Sequence, residues 1–225
     1  MIQRQPSAAE KITRRNLGND VYETVRSRIM NHAIAPGDRL NIDRLSRALN
    51  VSQTPIRQAL ARLESEGLVE KQPLIGYSAT PVLTRAELED LYGFRLLNEP
   101  WAAGRAAALQ GANAQDALTA ELASARDVGS ATPDGSLKSA IAHDARFHEL
   151  ILSLAGNEIV RSALERTHSH LHLFRLYSRD HAVDTTIEEH EGIASAVVSG
   201  SERAALEAMR AHLESSRTRT IQALR

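Results

Sequence analysis

The chain has 225 residues, of which 42% are apolar, 24% charged and 4% aromatic, and it contains no cysteine. This composition is typical of a helix-rich globular protein, and the lack of cysteine excludes a disulfide framework, thiolate metal ligands and a cysteine nucleophile. The sequence contains neither a run of about 18 apolar residues nor an apolar N-terminal segment. We therefore expect a cytoplasmic protein without a membrane span or a secretory signal.

Charge and histidine are both distributed unevenly along the chain. Residues 1–80 contain 12 basic and 8 acidic side chains, whereas residues 81–225 contain 15 basic and 20 acidic ones. Eight of the nine histidines lie between His143 and His212. A basic first part and an acidic, histidine-rich second part indicate two domains, of which only the first contacts a polyanion.

The N-terminal segment combines basic and polar residues without a periodic apolar face. Residues 1–18 contain four of the basic side chains, which predicts a mobile basic arm. Asp20 and Glu23 have the spacing of a helix cap, and apolar residues recur at helical spacing from there to about His32. A first helix is therefore predicted to begin near Asp20.

The next segment predicts a winged helix-turn-helix, in which two short helices meet at a tight turn and a β-hairpin follows. The turn falls at Asn50, a residue type that tolerates the left-handed backbone conformation. Ser52 or Thr54 caps the second helix, and Pro55 lies in its first turn, where a missing N–H is tolerated. Extended segments on either side of the Pro-Leu-Ile-Gly sequence at 73–76 predict the hairpin, or wing.

The second helix of such a domain enters the DNA major groove, while the wing follows the backbone or the minor groove. Hydroxyls at a helix start are suited to phosphate contacts, and Gln and Arg side chains can reach adenine and guanine edges. For any one of these residues, an ordinary cap or solvated surface is the alternative. The candidate DNA contacts are Arg44, Ser52, Gln53, Thr54, Pro55, Arg57, Gln58 and Gly76, with Arg47 as a further phosphate contact.

Residues 36–82 contain four short motifs that are typical of one protein family. They are Pro36-Gly37, Leu40-Asn41, Ser52-x-Thr54-Pro55-x-Arg57-x-Ala59-Leu60 and Glu66-Gly67-Leu68-Val69. In these motifs the segment resembles the DNA-binding domain of GntR-family transcription regulators, which implies binding to operator DNA. Three positions depart from the family pattern, since Gln53 and Ile75 stand where Arg is common and Ile42 where Glu is common. The missing basic groups predict a weaker electrostatic contribution and altered base reading.

From Arg85 onward the apolar pattern is helical throughout. Breaks fall near Gly111, Gly129–Gly135, Gly156-Asn157, Ala182–Asp184 and Gly200. They leave about six helices, which predicts an antiparallel helical bundle with its own core. The whole chain is thus predicted to be mainly α, with a winged domain over 19–82, a linker at 81–84 and a helical domain over 85–225.

Four residues of the helical domain form a candidate metal site. Asp144 and His148 are four apart and project from one helix face. His190 and His212 lie on the inward apolar stripes of two later helices. Three imidazoles and a carboxylate that converge inside a bundle form a transition-metal site with positions open for water or a ligand oxygen.

The remaining histidines are interpreted as surface residues or hydrogen-bonded core residues. They are His32, His143, His168, His170, His172 and His181. The His-Ser-His-Leu-His run at 168–172 has the composition of a metal-binding tract, but its alternation places the rings on different helix faces.

Further motifs extend over the helical domain. They are Arg95-x-x-x-Glu99, Asp144-x-x-x-His148, Ala155-Gly156-Asn157, Glu189-His190 and His212. With these motifs the region resembles the FCD ligand-binding domain of the FadR subfamily of GntR regulators. The resemblance implies that Asp144 and the three histidines hold a divalent metal, zinc or nickel first, with iron and manganese as alternatives.

The same resemblance implies that Arg95 clamps a small carboxylate effector, since its fork binds a carboxylate through two N–H groups. A salt bridge to Glu99 within the helix is the alternative role of Arg95. We expect a homodimeric transcription regulator, a repressor that releases double-stranded operator DNA when a small organic acid binds at the metal site.

Two other functions stay open from the sequence. In a metal-responsive regulator, occupancy of the metal site is itself the signal. In a metal-dependent hydrolase, the open site would activate water. Against the hydrolase, no further carboxylate or histidine is clearly placed as a general base, and the winged domain would have no role. We therefore expect that the protein is not an enzyme.

Overall fold

The structure is a computed structural model that describes residues 8–109, 111, 113–126, 133–174 and 183–224. The chain divides into two compact units between Val82 and Leu83. Each unit buries its own set of apolar side chains. No helix in the described ranges is long and apolar enough to cross a bilayer.

The N-terminal unit combines helices with a small antiparallel sheet. Its described elements are α1 (Ala8–Met30), β1 (Arg39–Leu40), α2 (Ile42–Leu49), α3 (Gln53–Ser65), β2 (Val69–Gln72) and β3 (Gly76–Ala79). Strand β3 is central, because Tyr77 pairs with Leu40 of β1 on one side and with Lys71 of β2 on the other. The sheet contains the predicted hairpin and adds the two-residue strand β1, which the sequence did not predict.

Apolar residues at helical spacing build the core of this unit. Helices α1 and α3 contribute Val21, Val25, Ile29, Ile56, Leu60 and Leu63, each at most 3% exposed. Helix α2 begins at its cap Asn41 and ends at Asn50, whose φ of 51° lies in the left-handed region. The predicted winged helix-turn-helix is confirmed, and Asn50 stands at its turn.

The start of α1 differs from the prediction. The helix begins at Ala8, so residues 8–18 of the predicted arm are helical, and Asp20 lies inside the helix instead of at its cap. The Ala-Ala-Glu-Lys sequence at 8–11 consists of strong helix formers. Such residues can extend a helix that packing stabilises further along, even without an apolar face of their own. Residues 1–7 of the predicted arm lie outside the described residues.

The C-terminal unit contains seven helices in its described part, where about six were predicted. They are α4 (Arg85–Leu109), α5 (Ala114–Arg126), α6 (Pro133–Leu154), α7 (Glu158–Glu165), α8 (Ser169–Phe174), α9 (Val183–Val198) and α10 (Glu202–Ala223). Helix α4 packs against α10, α6 and α9, and α5 packs against α6 and α9. The bundle core between them is formed by Phe147, Ile151, Ile193, Met209 and Leu213 among others.

The additional helix boundary lies at 166–168, between α7 and α8. His168 has a φ of 47°, and its N–H donates to the carbonyl oxygen of Glu165 at 3.0 Å. Neither glycine nor proline marks this turn, so the residues that indicated the other breaks were missing here. The breaks predicted near 129–135 and 182–184 fall partly on residues outside the described ranges.

Candidate functional site

The N-terminal unit carries a groove of about 670 Å³ between α2, the start of α3 and the wing. Its lining includes Gln53 of α3 together with Ile75 and Gly76 of the wing. The charged residues of the lining are Arg39, Asp43, Arg44, Arg47 and Arg57. A concave surface with four arginines and one aspartate has the charge to bind a phosphate backbone.

Hydrogen bonds connect the side chains at the head of α3. Gln53 Nε2 donates to Asp43 Oδ1 of α2 at 2.5 Å. Arg57 Nη2 donates to Gln53 Oε1 at 3.3 Å. The amide of Gln53 therefore holds Arg57 in place on the exposed face of α3, where both side chains can exchange these bonds for base edges.

Seven of the eight predicted DNA contacts are exposed on this unit. They are Arg44, Ser52, Gln53, Thr54, Arg57, Gln58 and Gly76. Ser52 occupies the N-cap position of α3 and makes no side-chain cap bond to the helix. The prediction for Pro55 is wrong, because this residue is buried and belongs to the core of the unit. Its ring fixes the first turn of α3 and presents no surface to DNA.

In the C-terminal unit, Asp144, His148, His190 and His212 come together inside the bundle. They belong to α6, α9 and α10, and one ligand-type atom of each lies within 4.8 Å of all the others. The three imidazoles are at most 7% exposed, while Asp144 is half-buried. The structure thus brings together the four side chains named from the sequence.

Two of these imidazoles bond a carboxylate through Nδ1. His148 Nδ1 donates to Glu99 Oε2 of α4. His212 Nδ1 donates to Glu189 Oε2 of α9 at 2.7 Å. Because a carboxylate can only accept, the neutral form of each ring has its proton on Nδ1 and a lone pair on Nε2.

The third imidazole reaches a carboxylate through another histidine. His143 Nδ1 donates to Glu121 Oε1 at 2.9 Å. This bond leaves His143 Nε2 as an acceptor, and His190 Nδ1 donates to it at 3.0 Å. The Nε2 of His190 therefore also carries a lone pair.

In these Nδ1–H forms, the three Nε2 atoms converge without a proton between them. His148 Nε2 lies 3.1 Å from His212 Nε2, and His190 Nε2 is buried without a hydrogen-bond partner. Asp144 Oδ1 lies 3.6 Å from His190 Nε2 and 3.7 Å from His148 Nε2. Converging lone pairs repel one another, and a buried polar atom without a partner costs about 1–3 kcal/mol.

A divalent cation would remove both costs at once. Imidazole nitrogen and carboxylate oxygen are ligands of zinc, nickel and iron, and a ring N–H bonded to a carboxylate is the usual way to orient a metal-binding histidine. The donor set therefore fits a divalent metal.

The electrostatic surroundings favour the neutral form of His190 and His212. Burial lowers the pKa of His190 well below its usual 6.5, and the nearby His212, His148, His143 and Arg95 lower it further. Burial also lowers the pKa of His212, against the opposing effect of the hydrogen bond to Glu189. Neutral imidazole is the form that binds a metal, so protons compete weakly for these nitrogens at pH 7.

Arg95 lies on α4 beside this cluster and is 3% exposed. Its Nε donates to Glu99 Oε1 at 2.6 Å, so the salt bridge within the helix is present. Its Nη2 lies 3.5 Å from His148 Nε2. A cavity of about 50 Å³ opens beside the guanidinium and is lined also by Asp144 and His148. Both roles of Arg95 are compatible, because a guanidinium has several N–H donors in a fork and the salt bridge uses one.

The residues that orient the imidazoles have no local sequence signal for that role. The sequence indicates Glu99 only as a partner of Arg95, and it gives no indication of a role for Glu121. His143 is a hydrogen-bonded core residue, as interpreted, but its bond also fixes the ring of His190. Within the described part of the chain, the 168–172 run contributes no residue to the metal-type cluster, although His170 lines the cavity.

Comparison with known proteins identifies both units. The FCD domain family matches residues 90–215, and the family described as bacterial regulatory proteins, gntR family, matches residues 17–77. The uncharacterized HTH-type transcriptional regulator YdhC of Bacillus subtilis (strain 168) is 28% identical over 194 residues, which cover 85% of each chain. The HTH-type transcriptional repressor RspR of Escherichia coli (strain K12) is 26% identical over 200 residues, which cover 88% of this chain and 86% of RspR.

A solved structure supports the fold. The structure of E. coli McbR/YncC superimposes with a TM-score of 0.69 at 19% identity, over 93% of this chain and 99% of that one. At this identity the likeness concerns the fold alone.

The fold and the matches define a DNA-binding transcription regulator with a winged helix-turn-helix and a helical C-terminal domain. The chain belongs to the GntR family of bacterial regulators and carries an FCD domain. Because the homologues are transcription regulators, the prediction that the protein is not an enzyme is confirmed, and the hydrolase alternative is set aside.

Proposed function

We propose that the protein is a homodimeric repressor that leaves its operator when a small carboxylic acid binds beside a divalent metal in the C-terminal unit. The observation that carries this proposal is the convergence of three buried Nε2 lone pairs and Asp144 next to a cavity lined by Arg95. The RspR relative is described as a repressor, which supports the direction of regulation. A regulator of this kind acts on DNA in the bacterial cytoplasm.

The metal would be held by Asp144, His148, His190 and His212. Such an ion supplies open coordination positions that accept a carboxylate oxygen. Zinc and nickel are our first choices, and iron and manganese accept the same ligands.

Arg95 would bind the acid from the opposite side of the cavity. The guanidinium can donate two parallel hydrogen bonds to a carboxylate, which gives both affinity and orientation. The guanidinium lies over the ring of Tyr92, with its central carbon 5.4 Å from the ring centroid. Bound acid would thus contact the metal ligands of α6 and the buried arginine of α4 together.

Helix α4 provides the route from the cavity to the DNA-binding unit. It begins at Arg85, directly after the boundary between the units. Tyr92 Oη is hydrogen-bonded to Ser216 Oγ at 2.8 Å and to Thr220 Oγ1 at 3.0 Å, which fixes α4 to α10. A shift of α4 on acid binding would change the separation of the two winged units in a dimer. DNA would be released when that separation no longer matched the half-site spacing.

The proposal is tested by thermal melting with a panel of small carboxylic acids, on metal-loaded and chelator-treated protein. We expect one acid to raise the melting temperature of the loaded protein and to have no effect after chelation. Arg95→Lys keeps the charge next to Glu99 but loses the fork, so it should abolish the shift. Arg203→Lys, in an exposed ion pair with Glu207, is the matched control.

The same experiment separates the acid sensor from a metal-responsive regulator. If no acid shifts either sample while metal alone does, the acid-binding proposal is wrong. An exchangeable metal that alters operator binding by itself would then identify metal occupancy as the signal.

A further inference from the structure

The tip of the wing exposes two aliphatic side chains. Leu74 is fully exposed, and Ile75 is 51% exposed. No residue of the tip, 73–76, carries a charge. A single exposed leucine is ordinary in proteins, so this exposure by itself does not indicate a function.

The backbone of Leu74 provides a second, independent observation. Ile75 N–H donates to the carbonyl oxygen of Gln72 at 3.2 Å, which closes a turn over Pro73 and Leu74. Leu74 has a φ of 64°, a conformation that turns of this kind normally assign to Gly or Asn. A leucine there is disfavoured, because its Cβ crowds the next carbonyl. Glycine would remove both the strain and the exposed apolar surface, so this leucine is unfavourable in the free protein on two counts.

The tip also continues the arginine-lined groove of the N-terminal unit. Ile75 and Gly76 line this groove together with Arg44 and Arg57. Arg39 Nη2 donates to the carbonyl oxygen of Ile75 at 3.1 Å, so an arginine of the groove holds the tip in place. When α3 enters a major groove, a wing in this position meets the adjacent minor groove or backbone.

We propose that Leu74, with Ile75 beside it, is an apolar wedge that enters the operator minor groove and partly unstacks one base step. The wing would then favour base steps that deform easily, such as the flexible TA or CA/TG steps. It would contribute to binding by this preference instead of by contacts to phosphates. Insertion between bases removes Leu74 from water, which compensates for its exposure in the free protein. The inference rests on the proposed function of α3 as the DNA-reading helix.

The test uses the full-length protein and a pool of random-sequence duplexes. The duplex that the wild type selects is resynthesised with 2-aminopurine at each adenine facing the wing. We expect the 2-aminopurine fluorescence to rise on binding at one base step in each half-site, because this base becomes brighter when it unstacks. With Leu74→Gly the rise should disappear, and affinity for the selected duplex should fall at least about fivefold.

Two further readouts distinguish the wedge from other roles of the tip. The salt dependence of binding should keep its slope in Leu74→Gly, since no phosphate contact is removed. The melting temperature of this variant should not fall, because glycine relieves the positive φ. Ile159→Ser, which changes an 80% exposed aliphatic residue of α7, is the matched control and should bind like the wild type.

The possible outcomes separate the two proposals. The wedge is wrong if Leu74→Gly keeps the wild-type affinity. It is also wrong if the affinity of this variant falls but the 2-aminopurine fluorescence does not rise when the wild type binds. In both cases the DNA-reading role of α3 stands. If Leu74→Arg raises affinity with a steeper salt slope and no probe signal appears, the tip follows the phosphate backbone. If the wild type selects no duplex, the DNA-binding function fails, and the wedge fails with it.

Discussion

If the proposed metal is bound, its removal should lower the stability of the C-terminal unit by a measurable amount. The Nε2 atoms of His148 and His212 face each other at 3.1 Å, and the Nε2 of His190 has no hydrogen-bond partner, so a bound cation would be a favourable partner for all three. A ligand that binds only the folded state adds about 2.7 kcal/mol at 100 times its Kd and about 4.1 kcal/mol at 1,000 times. For a chain of this length, each kcal/mol corresponds to about 2–4 °C. Zinc or nickel should therefore raise the melting temperature by about 5–15 °C.

The assay compares chelator-treated protein with the same sample after each metal is added back. His190→Ala also loses the ring stack on Phe147, at 4.0 Å between centroids, so its absolute melting temperature will be lower. The informative quantity is the shift on adding metal, which should vanish in His190→Ala and persist in the exposed control Glu207→Ala. The reasoning is refuted if zinc, nickel, iron and manganese all leave the melting temperature unchanged, or if His190→Ala keeps the full shift.

Three further predictions concern the two units separately. Arg57→Ala should weaken operator binding by about 10–100-fold, measured by fluorescence anisotropy, because it removes the guanidinium of α3 that we propose reads a base. Glu189→Gln should lower metal affinity about 10–100-fold in a chelator competition, because Glu189 orients the ring of His212; an unchanged affinity would argue against this role. Burial and the hydrogen bond to Glu66 raise the pKa of Tyr22 from 10 to about 12. The folded state thus favours the protonated phenol, and the resulting stabilisation is complete below pH 10 and lost as the pH rises to 12. Urea unfolding from pH 9 to 12 should show the wild type losing stability relative to Tyr22→Phe.

Local sequence patterns determined most of the secondary structure. Apolar residues at helical spacing identified α3 and the buried face of α1, and Asn50 marked the turn between α2 and α3 because its side chain tolerates positive φ. Where local signals were weak, the predictions failed. The polar start of α1 at Ala8 has no apolar face, and the turn at His168 contains neither glycine nor proline.

The sequence by itself also determined which side chains form the candidate metal site. Asp144 and His148 are four residues apart, so they share a helix face however the helix packs. His190 and His212 lie on the apolar stripes of α9 and α10 that face the bundle interior. Residue type and spacing indicated these four side chains, because helix geometry converts sequence separation into direction, and the resemblance to the FCD domain strengthened the choice.

Only the tertiary structure decided how those side chains are used. The bonds from His148 to Glu99 and from His143 to Glu121 join residues 49 and 22 positions apart on different helices, so no local pattern contains them. These contacts determine which ring nitrogen carries the proton, and therefore that the Nε2 lone pairs converge. Likewise, the strain of Leu74 comes from its positive φ of 64°. A leucine in the sequence would not lead one to expect a positive φ, so only the folded structure shows this strain. Such features arise from contacts and conformations that the folded chain imposes.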